Sequence, residues 1–196
     1  MASASPRRKQ LLNSIDVSFT VVPADIDETS LEGEAPEALV KRLALAKAQS
    51  VLKSNPDLAN QYILAADTVV VCDDRILGKP LSVEDAFKML KFIQGRSHFV
   101  FGGVAMICQT NSVEKIACQV TEVKFVPMTD QMISWYVATG EPLDKAAAYG
   151  VQGLGSQFVE SLTGSYTNVV GLDLALISGW FDQFGLIQRG SDANGN

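Results

Sequence analysis

Two hydroxyls and two guanidiniums stand close together in Ser3-Ala4-Ser5-Pro6-Arg7-Arg8. Pro6 suits the first turn of a helix, whose free amides would join Ser3, Ser5, Arg7 and Arg8 around one anion. A solvated basic segment is the alternative. The apolar pair Leu11-Leu12 ties the arginines to a folded helix and supports the anion site. A second polar group interrupts the apolar run Ala65-Ala66-Asp67-Thr68-Val69-Val70-Val71. A buried carboxylate is costly unless something pairs with it. Asp67 therefore reads either as a cap at a strand end or as a metal ligand or general base. A carboxylate beside Mg²⁺ can orient and deprotonate a water for attack on phosphorus.

Asp25, Asp27 and Glu28 form a short acidic cluster. It is either a solvated loop or a set of oxygen ligands for a hard cation, since Mg²⁺ takes only one or two carboxylates beside substrate phosphates. Lys47 lies on a helical pattern, and Lys79 is held by the stiff Gly78-Lys79-Pro80 turn, which suits charge placement. Gln152, between Gly150 and Gly153, can offer its amide to the edge of a nucleobase or serve as a turn residue. His98 is the only histidine and reads as a surface residue in a polar turn before a strand. That argues against Ser-His-Asp and Cys-His hydrolases and against a histidine-rich zinc site. Neither a GxxxxGK[ST] loop nor a GxGxxG loop is present.

The elements that must position these residues alternate between strands and helices. A helix is expected from Arg8 to Ser14 and a short β-like run over Ser18–Pro23. Leu39, Leu43, Ala46 and Leu52 recur at helical spacing through Pro36–Ser54. Tyr62–Cys72 has the near-continuous apolar pattern of a strand covered on both faces. Ser82 and Asp85 resemble a capping box opening a helix with Ala86, Met89, Leu90 and Ile93 inward. Phe99–Cys108 and Ile116–Val126 read as long antiparallel strands, and Thr129 caps a further helix. Phe158–Leu162 and Val169–Ile177 supply the last apolar elements, and residues 190–196 read as a frayed tail. This is a mixed α/β class, one domain over residues 1–189.

With 196 residues, 47% of them hydrophobic and 19% charged, the chain has ample material for a core. A net charge of −6 disfavours a broad nucleic-acid footprint but leaves room for a few cations around a small anion. Cys72, Cys108 and Cys118 are an odd set without CxxC spacing. They read as buried free thiols of a reducing compartment. No secretory leader is evident, and no apolar run approaches the roughly 18 residues of a membrane helix. A soluble cytoplasmic protein is expected.

Taken in order, Ser-Ala-Ser-Pro-Arg-Arg, Asp-Glu, Lys-Ala, Ala-Asp-Thr-Val-Val, Gly-Lys-Pro, Asp-Lys-Ala-x-Ala-Tyr-Gly-x-Gln-Gly and Gly-Ser-Tyr-x-Asn-Val-Val-Gly-Leu closely resemble the Maf family. These are nucleotide pyrophosphatases with a fold like that of the inosine triphosphate pyrophosphatases. The match runs from residue 1 to about Leu176. The resemblance implies a mixed central sheet flanked by helices, two lobes and a cleft between them. It implies that Ser5, Arg7, Arg8, Lys47 and Lys79 bind phosphate. It also implies that Glu28 and Asp67 attend a Mg²⁺ or Mn²⁺ ion, and that Asp67 accepts the proton of the attacking water.

Arg7, Thr68 and Gln152 match the positions that separate substrate branches. They are Arg, Thr and Gln in the branch acting on dTTP and UTP, and typically Trp, Gln and Glu in the branch acting on 7-methyl-GTP. A glutamine can pair with a pyrimidine's carbonyl and N–H, whereas a glutamate prefers a donor-only edge. A dTTP/UTP pyrophosphatase is expected, with 7-methyl-GTP hydrolysis or a non-hydrolysing regulator of septum formation as alternatives. A homodimer is also implied. Three positions depart from the family pattern. Met1 stands where the last apolar residue of a first strand is usual, Ala147 replaces a glycine and is tolerable if its φ is negative, and Asp173 replaces a proline.

Overall fold

The computed structural model describes residues 1–187, so the expected frayed tail lies outside the described residues. Helix α1 (Pro6–Asn13) starts where the Ser5 hydroxyl accepts from the Arg8 amide, with Pro6 at its first position and Leu11 and Leu12 buried. Helix α2 (Pro36–Ser54) buries a stripe from Leu39 through Val40, Leu43, Ala44, Lys47 and Ala48 to Val51. The strand expected to be covered on both faces is β1 (Ile63–Cys72), where nine of ten residues are buried and Thr68 is the exception. Strand β2 (Arg75–Leu77) folds back on it. Helix α3 (Val83–Ile93) is capped by Ser82, whose hydroxyl accepts from the Asp85 amide; the Asp85 carboxylate reaches back to Leu81 N. The two long strands are β3 (Ser97–Cys108) and β4 (Val113–Phe125), and Thr129 caps α4 (Asp130–Ala138). Strand β5 (Val159–Thr163) and helices α5 (Tyr166–Val170) and α6 (Leu174–Gln183) complete the chain.

The expected α/β architecture is present, a central sheet flanked by helices. Its order is β2-β1-β3-β4-β5, and all four pairings are antiparallel, so among the described residues the sheet is antiparallel throughout rather than mixed. The β-like run over Ser18–Pro23 contributes no strand to it. These residues pair instead with Met1: its ammonium donates to Thr20 O at 2.7 Å and Val22 N donates to Met1 O at 3.0 Å. Ala2 N in turn donates to Leu64 O of β1 at 2.8 Å.

Alternation along β1 divides the core. One face carries Leu64 and Ala66, packed with Val104 and Ile177, and then Val70 and Cys72, packed with Leu90 and Phe125. The other face lies under α2, with Ile63 and Ala65 against Ala48 and Val51, and Val69 and Val71 against Leu39 and Leu43.

His98 contradicts the surface reading. The strand begins at Ser97, and the period of two that turns Val100 inward turns His98 inward as well, leaving it fully buried. Its Nε2 lies 2.7 Å from Tyr149 Oη, its ring meets Phe125 and Tyr149 edge-on, and Nδ1 has no partner. Burial pushes its pKa down from 6.5 to about 4. The unfolded chain therefore binds more protons between those values, and stability falls as pH drops from 6.5 towards 4. This group alone should cost on the order of 3 kcal/mol across that window. Melting curves at pH 7 to 4 should show a shallower acid slope in His98→Gln than in the parent, and identical slopes would refute the assignment.

Two of the departures acquire physical readings. Asp173 caps α6, its carboxylate accepting from Leu176 N at 3.2 Å. Ala147 has φ 54° rather than a negative value, so its backbone is in the left-handed region that a glycine adopts without strain. Its amide donates to Gly78 O at 2.9 Å, which ties that strained turn to the Gly78-Lys79-Pro80 loop. Cys72 and Cys108 are buried and free, and Cys118 is free and half-buried. Among the described residues no helix is long and apolar enough to cross a membrane.

Candidate active site

Asp67 and Thr68 fall at the boundary between apolar clusters on both faces of the sheet. Asp67 lies between Ala65 and Val69 on the α2 face, and Thr68 lies between Ala66 and Val70 on the other. The sheet edge is open at the same point. The N-terminal residues reach β1 only at Leu64 and β2 pairs with it only from Val70 onward, so among the described residues 65–69 has no backbone partner on that side. The register partners across the other side are both glycines, Gly103 opposite Asp67 and Gly102 opposite Thr68. Each admits a close neighbour. A Cβ on Gly103 would lie 2.2 Å from Val40 O of α2, and one on Gly102 would lie 1.8 Å from Asn168 Oδ1.

This break in the sheet opens into a cleft of about 680 Å³, a size suited to a small-molecule ligand. Ser5, Arg7, Arg8, Glu28, Lys47, Asp67, Thr68, Lys79 and Gln152 all line it. Asp25 and Asp27 do not, so the acidic cluster delivers only Glu28.

Charges inside the cleft are largely paired. Lys47 projects from α2 into the seam, and its Nζ lies 2.6 Å from Asp67 Oδ1 and 2.6 Å from Glu28 Oε1. The two carboxylate oxygens can therefore be no farther apart than twice that distance. An ammonium against buried Asp67 offsets the cost of desolvating the charge. Glu28, at 60% side-chain exposure, closes the pair from the solvent side.

Arg8 is held by the fold. Its Nε donates to Gly171 O at 2.8 Å, Nη1 to Ser3 Oγ at 3.2 Å and Nη2 to Thr68 Oγ1 at 3.0 Å. Burial lowers its pKa, with Asp67 and Glu28 opposing and Arg7 adding to the shift. Arg7 reaches across the cleft to Asp144, Nη1 to Oδ2 at 3.0 Å, and Asp144 also accepts from Lys145 at 2.6 Å. Burial raises the Asp144 carboxyl, but Lys145 and Arg7 outweigh it and hold the group below its ordinary value. Lys79 is exposed and makes no hydrogen bond or ion pair to any described residue, so its charge is available to a ligand.

The Asp-Lys-Ala motif gives Asp144 no role, and only the fold sets it opposite Arg7. An acid directly before Lys145 in that motif was the available signal. Tyr149, buried behind the loop and bonded to His98, also lines the cleft. Apolar surface comes from Leu39 and Leu43 of α2 and from Val169 and Val170 of α5.

The chain matches the profile described as Maf-like protein over residues 1–184. The chain belongs to the Maf family. Curated relatives cover nearly its whole length. It is 50% identical to a dTTP/UTP pyrophosphatase of Halalkalibacterium halodurans, over 89% of this chain and 90% of that one. It is 45% identical to one of Moorella thermoacetica, over 95% and 94%, and 43% identical to one of Syntrophomonas wolfei, over 91% and 93%. The Maf resemblance carried by scattered motifs thus coincides with a cleft that gathers those motifs in space.

Glu28 and Asp67 converge on one ammonium, and two carboxylates so placed are oxygen ligands of the kind a hard divalent cation takes. Among the described residues no group of three or more His, Cys, Asp and Glu could hold a metal ion. Mg²⁺ nevertheless needs only one or two carboxylates when a triphosphate supplies further oxygens. Glu28 and Asp67 would be those ligands.

Proposed function

We propose that this chain is a nucleoside triphosphate pyrophosphatase that hydrolyses dTTP and UTP to the monophosphate and pyrophosphate. The observation that carries this reading is the convergence of Arg7, Glu28, Asp67 and Lys79 on one cleft, from positions scattered over the first eighty residues. The names of the relatives support the substrate, as does the Arg7, Thr68 and Gln152 combination at the cleft.

The triphosphate lies against Ser5, the start of α1, Arg7 and Lys79, where hydroxyl, amides and cations suit phosphate oxygens. Anionic oxygens can compete with Asp144 for Arg7, and Arg7 has further N–H groups unused by that ion pair. Arg8 and Lys47 act alongside, Arg8 by fixing the loop beneath the phosphates and Lys47 by holding Asp67 and Glu28 in place. Asp67 takes a proton from water as its oxygen bonds the α-phosphorus. The bond from that phosphorus to the bridging oxygen breaks, and pyrophosphate leaves with its charge stabilised by the cations. A Mg²⁺ or Mn²⁺ ion held by Glu28 and Asp67 would neutralise charge on the phosphates and lower the pKa of a bound water. Gln152 faces the pyrimidine edge with its amide.

The same proposal makes the protein cytoplasmic, supported by its free thiols, and gives it no nucleic-acid partner, supported by its net charge of −6. It includes a homodimer, supported by Phe99, Ile116 and Val120, which stand exposed on one sheet face.

A panel of dTTP, UTP, CTP, ATP, GTP and 7-methyl-GTP with Mg²⁺, Mn²⁺ and Co²⁺, read by pyrophosphate release, tests this function. Turnover should be greatest on dTTP and UTP. Preference for 7-methyl-GTP, or tight binding without hydrolysis under every metal, would overturn it.

A further inference from the structure

Gln152 faces an unusual mechanical problem. It is exposed, flanked by Gly150 and Gly153, and its side chain bonds to no described residue. A side chain on such a backbone reads a base edge only if the loop itself is held still. Two residues outside the cleft lining hold it. Glu141 Oε2 accepts from Leu154 N at 2.9 Å, and Oε1 accepts from Gly155 N at 2.9 Å and from Tyr136 Oη at 2.8 Å. Tyr136 Oη in turn accepts from Gly150 N at 3.2 Å. The amides on both sides of Gln152 are thus pinned to one carboxylate–phenol pair.

The fit is close. A Cβ on Gly153, whose φ is 69°, would lie 2.7 Å from Glu141 Oε2, and one on Gly155 would lie 2.4 Å from Tyr136 Oη. The pair is itself anchored. Tyr136 is fully buried on α4 and packs against Phe158, and Glu141 follows the positive-φ Gly140 with its own carbonyl bonded by Lys145 Nζ at 2.6 Å. Burial raises the Glu141 carboxyl, but the two amides, Tyr136 and Lys145 outweigh it and hold it ionised below the usual range.

The geometry points to Glu141, with Tyr136, as a positioning residue for nucleobase selection, acting through the 150–155 loop on Gln152. This rests on the pyrimidine nucleotide function proposed above. A neutral isostere separates the role from chemistry, because the amide of Glu141→Gln presents an N–H₂ where one backbone N–H needs an acceptor.

In Glu141→Gln, KM for UTP should rise about tenfold while kcat changes by less than about threefold, and the UTP-over-ATP ratio of kcat/KM should fall about tenfold. Tyr136→Phe, which removes only the Gly150 partner and one Glu141 bond, should move the same ratio in the same direction by less. Amide hydrogen exchange over 150–155 reads the grip without turnover and should accelerate in both variants. A lower Tm with an unchanged UTP-over-ATP ratio would assign Glu141 a merely structural role and overturn the inference. So would unchanged exchange protection. A parent protein that hydrolyses no UTP, with accelerated exchange in the variants, would count against the proposed function and leave the loop grip standing.

Discussion

Asp67→Asn should lower turnover on UTP by about 10²-fold or more, the expected cost of losing a general base. Nucleotide affinity should stay within about threefold, because the phosphate contacts lie on Ser5, Arg7 and Lys79 rather than on this side chain. The substitution is informative because the structure limits its collateral damage. Asparagine keeps an oxygen that can accept from Lys47, and Glu28, 2.6 Å from the same ammonium, keeps that buried cation paired. Breaking a buried ion pair outright typically costs about 3–5 kcal/mol, and this site retains one of two carboxylates. A Tm near that of the parent with turnover lost is therefore the anticipated pairing of results. Undiminished pyrophosphate release from Asp67→Asn would remove the carboxylate from the chemistry and leave it a structural anchor for Lys47.

The second large effect comes from a residue with no chemistry. Gly103→Ala sets a methyl carbon 2.2 Å from Val40 O and 2.4 Å from Val40 C, both backbone atoms of α2. No rotamer change can relieve such a contact, so the helix must move off the sheet. Overpacking of this kind costs roughly 1–3 kcal/mol and more where backbone must shift. In a chain of this length each kcal/mol is worth about 2–4 °C, so Tm should fall by roughly 2–12 °C.

Activity should fall further than stability alone explains. Val40 and Lys47 share the buried stripe of α2, and helical side chains lean towards the N-terminus, so Lys47 reaches back towards Asp67, the register partner of Gly103. Lifting α2 stretches the 2.6 Å Lys47–Asp67 contact. Differential scanning fluorimetry and pyrophosphate release on one preparation separate the two effects. A Tm unchanged in Gly103→Ala would mean that α2 does not press on β3 as described.

Element types were legible wherever local patterning and burial agree. The run Tyr62–Cys72 reads as a doubly covered strand because nearly every side chain is apolar, and Thr129, Ser82 and Pro6 mark helix starts through cap and first-turn chemistry that acts within a few residues. Ser18–Pro23 misled because β-propensity reports a side chain's fit to a pleated surface and not the presence of a neighbouring strand. Here the partner is the single residue Met1. His98 misled for a related reason. A polar stretch at 94–98 reads as a turn, but the strand starts at Ser97, two residues before the expected Phe99, and its period of two puts His98 on the same buried face as Val100.

By itself the sequence determined the inventory: one carboxylate in an apolar strand, cations beside hydroxyls and stiff turns, a glycine-flanked glutamine, and motifs that place the chain in the Maf family. Only the tertiary structure decided who meets whom. Lys47 lies between Glu28 and Asp67, Arg7 reaches Asp144 from 137 residues away, and Ala147 adopts φ 54°. The reason is that periodicity and capping are local, and tell which face of an element is apolar. Which element covers that face, and where a sheet edge is left open, depends on contacts between residues far apart in the chain.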